Sequence, residues 1–314
     1  MKKKKGRHRD KSGDIPREPY SQVKQFLRRE VHYACPVPGC GSPLLEWHHF
    51  DPRWKEKHHH DPQGMIALCT SCHPKADRGT WTNEDLRLFK RNPAPLGLIR
   101  ETFGWSERSV VYRLGGSYAS DCTAGVIAIN DIRILWDRRS AEGRLLFSLD
   151  LFGEKGQCLL QVRDNSLSVD ASRIWDLSLN AGANHLKLWL GERKPGIELQ
   201  FRRLSIEQFR EVLTADVKQS YKTAEKLFAN SPLGNLVFRS DAQDIGEKKY
   251  LLDYVSHNCV DSDGTVTLVD IARARFYAPD GSLVQVTDAG IRSSIGSQWV
   301  GCDAVNCGGY AFNL

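Results

Sequence analysis

Between Cys35 and Asp77 the chain gathers four of its nine cysteines and six of its ten histidines. Two short cysteine pairs, Cys35-Pro-Val-Pro-Gly-Cys40 and Cys69-Thr-Ser-Cys72, are separated by 28 residues. Each pair is spaced to form a tight knuckle, and the chain between them can return the second knuckle beside the first, which makes a donor set for one tetrahedral, structural Zn2+. The returning segment carries Glu46-Trp47-His48-His49-Phe50-Asp51, and the second knuckle runs straight into His73-Pro74-Lys75-Ala76-Asp77. If Cys72 opens a helix, His73 and Asp77 stand at i and i+4 on one face and can grip one ion. Adjacent histidines on an extended segment point to opposite sides, so one of His48 and His49 can face that ion while its neighbour is left for a different task. A second metal with an uncoordinated base beside it is equipment for hydrolysis.

These residues need short elements to hold them. From Tyr20 to His32 the spacing of Val23, Phe26, Leu27 and Val31, with Lys24, Arg28 and Arg29 between, predicts an amphipathic helix with a basic face leading into the cysteines. Thr82 is placed as the N-cap of a second helix carrying Leu86, Leu88 and Phe89. Lys75, Arg78, Arg87, Lys90 and Arg91 form a cluster around these elements that can approach DNA phosphates. His58, His59 and His60 lie in a polar loop and are expected to be solvated, with His60 the one able to lend a ligand or a phosphate contact.

The combination of two cysteine pairs, a His-His pair and a histidine after the last cysteine resembles the HNH endonucleases, the ββα-metal or His-Me finger nucleases, over residues 20–92. The resemblance implies a zinc-braced finger in which His48 and His73 bind a catalytic divalent ion (Mg2+, Mn2+, Ni2+ or Zn2+). It makes His49 the general base, and it puts Asp77 where some members carry a further metal-binding histidine. The products implied carry 5′ phosphate and 3′ hydroxyl ends. The family's middle Asn falls on Gly64, which leaves Gln63 or Asp61 as side chains able to brace the catalytic loop in its place.

Across the whole chain, 314 residues with 40% hydrophobic content are enough for two or three domains with cores of their own. Residues 1–30 hold 11 Lys and Arg against 4 Asp and Glu, a net of +7 where the whole chain is +6. The positive field therefore belongs to a flexible tail, residues 1–19, which is either a phosphate-attracting arm or a solubilising terminus. No apolar run follows it, so neither a secretory signal nor a membrane contact is expected, and a cytoplasmic location with reduced cysteines follows. Asn92-Pro93-Ala94-Pro95 breaks the second helix, and residues 93–110 are expected as a linker.

Beyond it, runs such as 126–129, 132–136, 145–152, 159–162, 186–190 and 197–201, separated by Gly-rich turns, predict an antiparallel meander forming a sandwich or curled sheet over residues 111–204. One long helix over 205–230 follows, with Ser205 and Gln208 as its capping box and Leu204 and Phe209 as its staple. A C-terminal β-rich region fills 231–314, including a strand at 234–238; Cys302 and Cys307 there are expected as buried thiols.

The fold class expected is α+β: a zinc-braced ββα-metal finger followed by a mainly antiparallel β region interrupted by one long helix. The function expected is a metal-dependent DNA endonuclease whose C-terminal β region serves target recognition, regulation, or contact with a second copy or a protein partner. The competing class is a non-catalytic zinc-finger module that docks on nucleic acid, attached to a β-domain sensor.

Overall fold

Leu45-Glu-Trp-His-His49 alternates apolar and polar residues, whereas Met65-Ile-Ala-Leu-Cys69 is apolar throughout. The two pair antiparallel as strands β1 (Leu45–His49) and β2 (Met65–Cys69), with His48 opposite Ile66 and His49 opposite Met65. They belong to a computed structural model that describes residues 15–103, 109–122, 124–228, 248–287, 290–294, 298–299, 303–305 and 310–313. The basic run Lys2–Arg9, the expected strand at 234–238, and Cys302 and Cys307 lie outside the described residues. The chain divides into two compact units, Met1–Leu96 and Gly97–Leu314.

In the first unit β2 is the core: no residue of it is more than 1% exposed. Helix α1 (Ser21–Glu30) supplies Leu27 to the same cluster, Val31 follows at its C-cap, and Val23 packs against its edge. Phe26, one position off this i, i+4 stripe, is left exposed. Directly after β2, Cys72 turns the chain into the five-residue helix α2 (His73–Asp77), whose second residue is Pro74. Proline is tolerated there because the first turn of a helix has no use for its N–H. Helix α3 (Asn83–Arg91) opens on a capping box in which Asp85 N donates to Thr82 Oγ1 (3.1 Å) and Thr82 N donates to Asp85 Oδ2 (2.8 Å).

The second unit begins inside the stretch expected as linker: Leu98–Thr102 is a strand, paired antiparallel with Ser166–Asp170, and Ile99 is buried. All six strand runs singled out above form strands, and Gly143 and Gly156 take the positive φ that their turns require. Among the described residues seventeen strands join into one network closed as a barrel, so the expected sandwich is not what forms. Most pairings are antiparallel. Closure uses parallel pairs between early and late strands, Val111–Leu114 with Thr265–Tyr277, Ser117–Ser120 with Asp303–Val305, and Gly125–Ile129 with Tyr310–Asn313. A β region read strand by strand cannot show such pairings, because neither partner carries a local mark of the other.

Helix α4 (Ile206–Phe228) starts on the expected capping box, Ser205 N to Gln208 Oε1 at 2.9 Å and Gln208 N to Ser205 Oγ at 3.2 Å. Leu204 and Phe209 are both buried in one cluster with Leu213 and with Leu251 and Val255 of helix α5 (Lys249–Asn258). Arg113 fixes α4 to the barrel through both oxygens of Asp216 (2.6 Å each) and reaches Asp270 on the other side (2.8 Å). No helix among the described residues is long and apolar enough to cross a membrane.

Candidate metal centre

The first knuckle closes on itself: Cys40 N donates to Val37 O (3.0 Å), Gly41 N to Cys35 O (3.3 Å), and Gly39 and Gly41 both take positive φ. The second closes with Cys72 N on Cys69 O (3.0 Å). Together they bring the sulfurs of Cys35, Cys40, Cys69 and Cys72 within 4.8 Å of one another, with Cys40 to Cys69 at 3.4 Å and Cys72 to Cys40 at 3.8 Å. Sulfurs about 2.3 Å from a tetrahedral zinc stand about 3.8 Å apart, so the cluster is close to a metal-binding arrangement and could hold an ion such as zinc.

Their acidities point the same way. Burial pushes the Cys35 thiol far above its ordinary value and the Cys72 thiol up to about 12; for Cys69 burial pulls upward too but is outweighed by hydrogen bonds from Cys40 and from the Cys72 and Ser71 backbone. Four clustered, largely buried sulfurs cannot all ionise without a cation among them, and a dication removes that conflict.

The second group lies one turn further on. Glu46 and His48 share a face of β1, being two residues apart, and α2 packs against that strand. His48 Nδ1 stands 3.2 Å from Asp77 Oδ1, and His73 Nε2 stands 3.8 Å from Asp77 Oδ2. Donors about 2.0–2.2 Å from a shared ion are separated by about 3–3.4 Å at tetrahedral or octahedral edges. His48, His73 and Asp77 could therefore hold one ion, with coordination positions to spare. Glu46 Oε2 accepts a hydrogen bond from His73 Nδ1 at 2.8 Å. A carboxylate accepts only a proton-bearing nitrogen, so this bond places the His73 proton on Nδ1 and leaves the Nε2 lone pair toward Asp77. Glu46 was not picked out in the sequence; its signal is the i, i+2 relation to His48 on one strand.

His49 occupies the other face. Its Nε2 is 3.0 Å from the His59 carbonyl oxygen, which can only accept, so Nε2 carries the proton and Nδ1 the lone pair. Burial and the neighbouring His59 pull its acidity down to about 4; burial and the neighbouring His73 do the same for His48, also to about 4, against the opposing pull of Asp77. His49 is thus neutral near pH 7 and stays off the His48, His73 and Asp77 group.

The loop between β1 and β2 departs from the expectation of solvated histidines. His59 is buried, His60 is half-buried with its ring 4.8 Å from that of Tyr20, and only His58 is exposed, stacked on Trp54 at 4.4 Å. Neither His60 nor its neighbours join either metal-ligating group. Asp61 Oδ1 accepts from Gln63 N (3.0 Å), a local turn, and does not reach across the loop.

Of the cations expected at phosphates, Lys75 and Arg78 are exposed beside α2. Lys90 is not available: it is buried, and its ammonium donates to Pro62 O (2.6 Å) and Met65 O (2.8 Å) and pairs with Glu30 (3.1 Å). Its place four residues after Leu86 puts it on the core face of α3, which is why it turns inward. Arg87 is paired with Asp51, and Arg91 with Glu84 at 2.6 Å. No family model, no curated protein and no solved structure matches the chain, so its site is read from its own geometry.

Proposed function

We propose that this chain is a metal-dependent endonuclease of the HNH, ββα-metal kind that hydrolyses DNA phosphodiester bonds. The observation that carries the reading is the two-sidedness of β1. His48 joins His73 and Asp77 as an ion-gripping set on one face, while on the other His49 keeps its Nδ1 lone pair in a fixed tautomer. A divalent ion bound by His48, His73 and Asp77 supplies Lewis-acid stabilisation of the charge that builds on the scissile phosphate. His49 takes a proton from the attacking water at Nδ1, and the His59 carbonyl, bonded to Nε2–H, stabilises the imidazolium that results. Lys75 and Arg78 are exposed on and after α2 and supply phosphate contacts next to the ligand pair. The cysteine cluster supports the chemistry indirectly: Cys69 ends β2 and Cys72 precedes α2, so a zinc between them fixes the angle at which His73 and Asp77 meet His48. The barrel unit serves recognition, partner binding or regulation.

The test is incubation of the full chain with supercoiled plasmid and Mg2+, Mn2+ or Ni2+, beside His49→Ala. Wild type should nick DNA, and the variant should lose about 100-fold or more of the rate, the usual contribution of a general base, with zinc content and DNA affinity retained. Equal cleavage by the two would sink the assignment of the base. One tightly held zinc, no second ion-binding event and no cleavage would instead favour a non-catalytic zinc module that docks on nucleic acid.

A further inference from the structure

Between Phe50 and Gly64 the chain runs through a polar segment, Lys55-Glu-Lys-His58, that is exposed along its length. The next residue, His59, is 8% exposed. Its ring is held at both nitrogens: Nε2 is 2.8 Å from the carbonyl oxygen of Pro52, and Asp61 N donates to Nδ1 at 3.2 Å. The first contact needs a proton on Nε2 and the second needs a lone pair on Nδ1, so the two agree on one neutral tautomer. The ring thus ties the near end of the loop, at Pro52, to its far end, at Asp61. The main-chain oxygen of the same residue accepts the proton of His49 Nε2. The two rings also meet edge to face, with centroids 5.2 Å apart.

Two other loop side chains were open to this bracing role, and neither fills it. Asp61 is spent on Gln63 N. Gly64 has no side chain and no room for one, since a Cβ there would stand 2.0 Å from Asp51 O and 2.9 Å from His59 Cε1.

We propose that His59 is the positioning residue of the catalytic site: its ring braces the loop so that its own carbonyl holds His49 with the proton on Nε2 and the lone pair on Nδ1. The proposal rests on the hydrolytic reading for what His49 does, but not for how His49 is held. Without the brace the loop is anchored by neither ring nitrogen, its carbonyl loses its fixed place, and the other tautomer of His49 becomes accessible, with its lone pair on the wrong nitrogen. A side chain that merely filled space would leave the tautomer untouched.

The experiment is two-bond 1H–15N correlation on the full-length, zinc-loaded protein labelled with 15N-histidine. His49 is assigned from the signal missing in His49→Ala, and plasmid nicking kinetics are measured on the same samples. Wild-type His49 should show the Nε2–H tautomer. His59→Phe keeps an aromatic ring of similar size and loses both hydrogen bonds; it should give a mixed tautomer at His49 and lower kcat by about 10–100-fold, the usual cost of losing an orienting partner, with KM and zinc content unchanged. His59→Gln, which can still donate to Pro52 O, should recover part of both. An Nδ1–H tautomer at His49 in the wild type overturns the proposal before any variant is made. So does a His59→Phe protein with wild-type tautomer and wild-type kcat, while wild-type cleavage leaves the nuclease reading standing. If His59→Phe loses zinc, His59→Gln takes its place, and an unshifted His49 tautomer and kcat there count against the brace. A tautomer that responds to His59 in a protein that cuts no DNA with any of the three ions would sink the nuclease reading and leave the positioning role intact.

Discussion

His48 and His49 share a peptide bond and almost nothing else: one faces an acidic residue and a second imidazole, the other a backbone carbonyl and an indole. Both are held at about 4 against an ordinary 6.5, chiefly by burial. Between those values the unfolded chain binds more protons than the folded one, so their contribution to stability is complete above about pH 6.5 and is lost as the pH falls toward 4. Urea midpoints measured from about pH 7 to about pH 4.5 should therefore fall, and His49→Phe, whatever it does to the midpoint at pH 7, should flatten the fall by its share of the proton uptake. A slope identical to wild type would show that His49 is not one of the groups responsible. The metal-ligating residues were legible in the sequence because residue type and spacing alone define a donor set: four cysteines in two knuckles, then His73 and Asp77 one turn apart. His59 was not legible. Three successive histidines in a polar run look alike, and which of them turns inward depends on where the loop doubles back to meet Pro52 and Asp61.

At the scale of elements, the hairpin and α2 act as one piece because β2 is buried on both faces and its last residue is itself a ligand of the sulfur cluster. Gly64 is the tightest point of that piece, carrying the carbonyl that accepts from both Phe50 N (2.9 Å) and Asp51 N (3.2 Å). Gly64→Ala would press a methyl group into the Asp51 carbonyl, which as backbone cannot step aside cheaply. The expected cost is about 1–3 kcal/mol, the range for overpacking a filled site, read as a lower urea midpoint of the first unit. A midpoint equal to wild type would show that the β1–β2 loop has slack that the close approach at Gly64 does not reveal. Helices announced themselves through caps: Thr82 with Asp85 and Ser205 with Gln208 are local signals with local consequences. The strand Leu98–Thr102 gave no such notice, since it follows a proline pair and its partner Ser166–Asp170 lies far along the chain.

For the whole molecule, the two units have separate cores, and both groups that could hold a metal belong to the first, among the described residues. Stripping zinc with a strong chelator should therefore abolish one calorimetric transition and spare the other, because structural zinc sites contribute about 10–16 kcal/mol to the folding of small domains. Loss of both transitions together would mean that the barrel depends on the metal-bearing unit. That a β-rich unit follows the cysteines was plain from its apolar runs and turns; that it closes as a barrel was not, because closure is made by residues such as Arg113 and Asp270, which stand 157 positions apart. That separation also sets an order in time. The strands Val111–Leu114, Ser117–Ser120 and Gly125–Ile129 leave the ribosome long before Thr265–Tyr277, Asp303–Val305 and Tyr310–Asn313, the partners they lie beside. The metal-bearing unit has all its donors once Asp77 has been made. Every newly made chain thus passes through an interval in which its N-terminal unit is finished and its barrel still shows open strand edges to its neighbours. The pace at which the last third is translated sets how long that interval lasts.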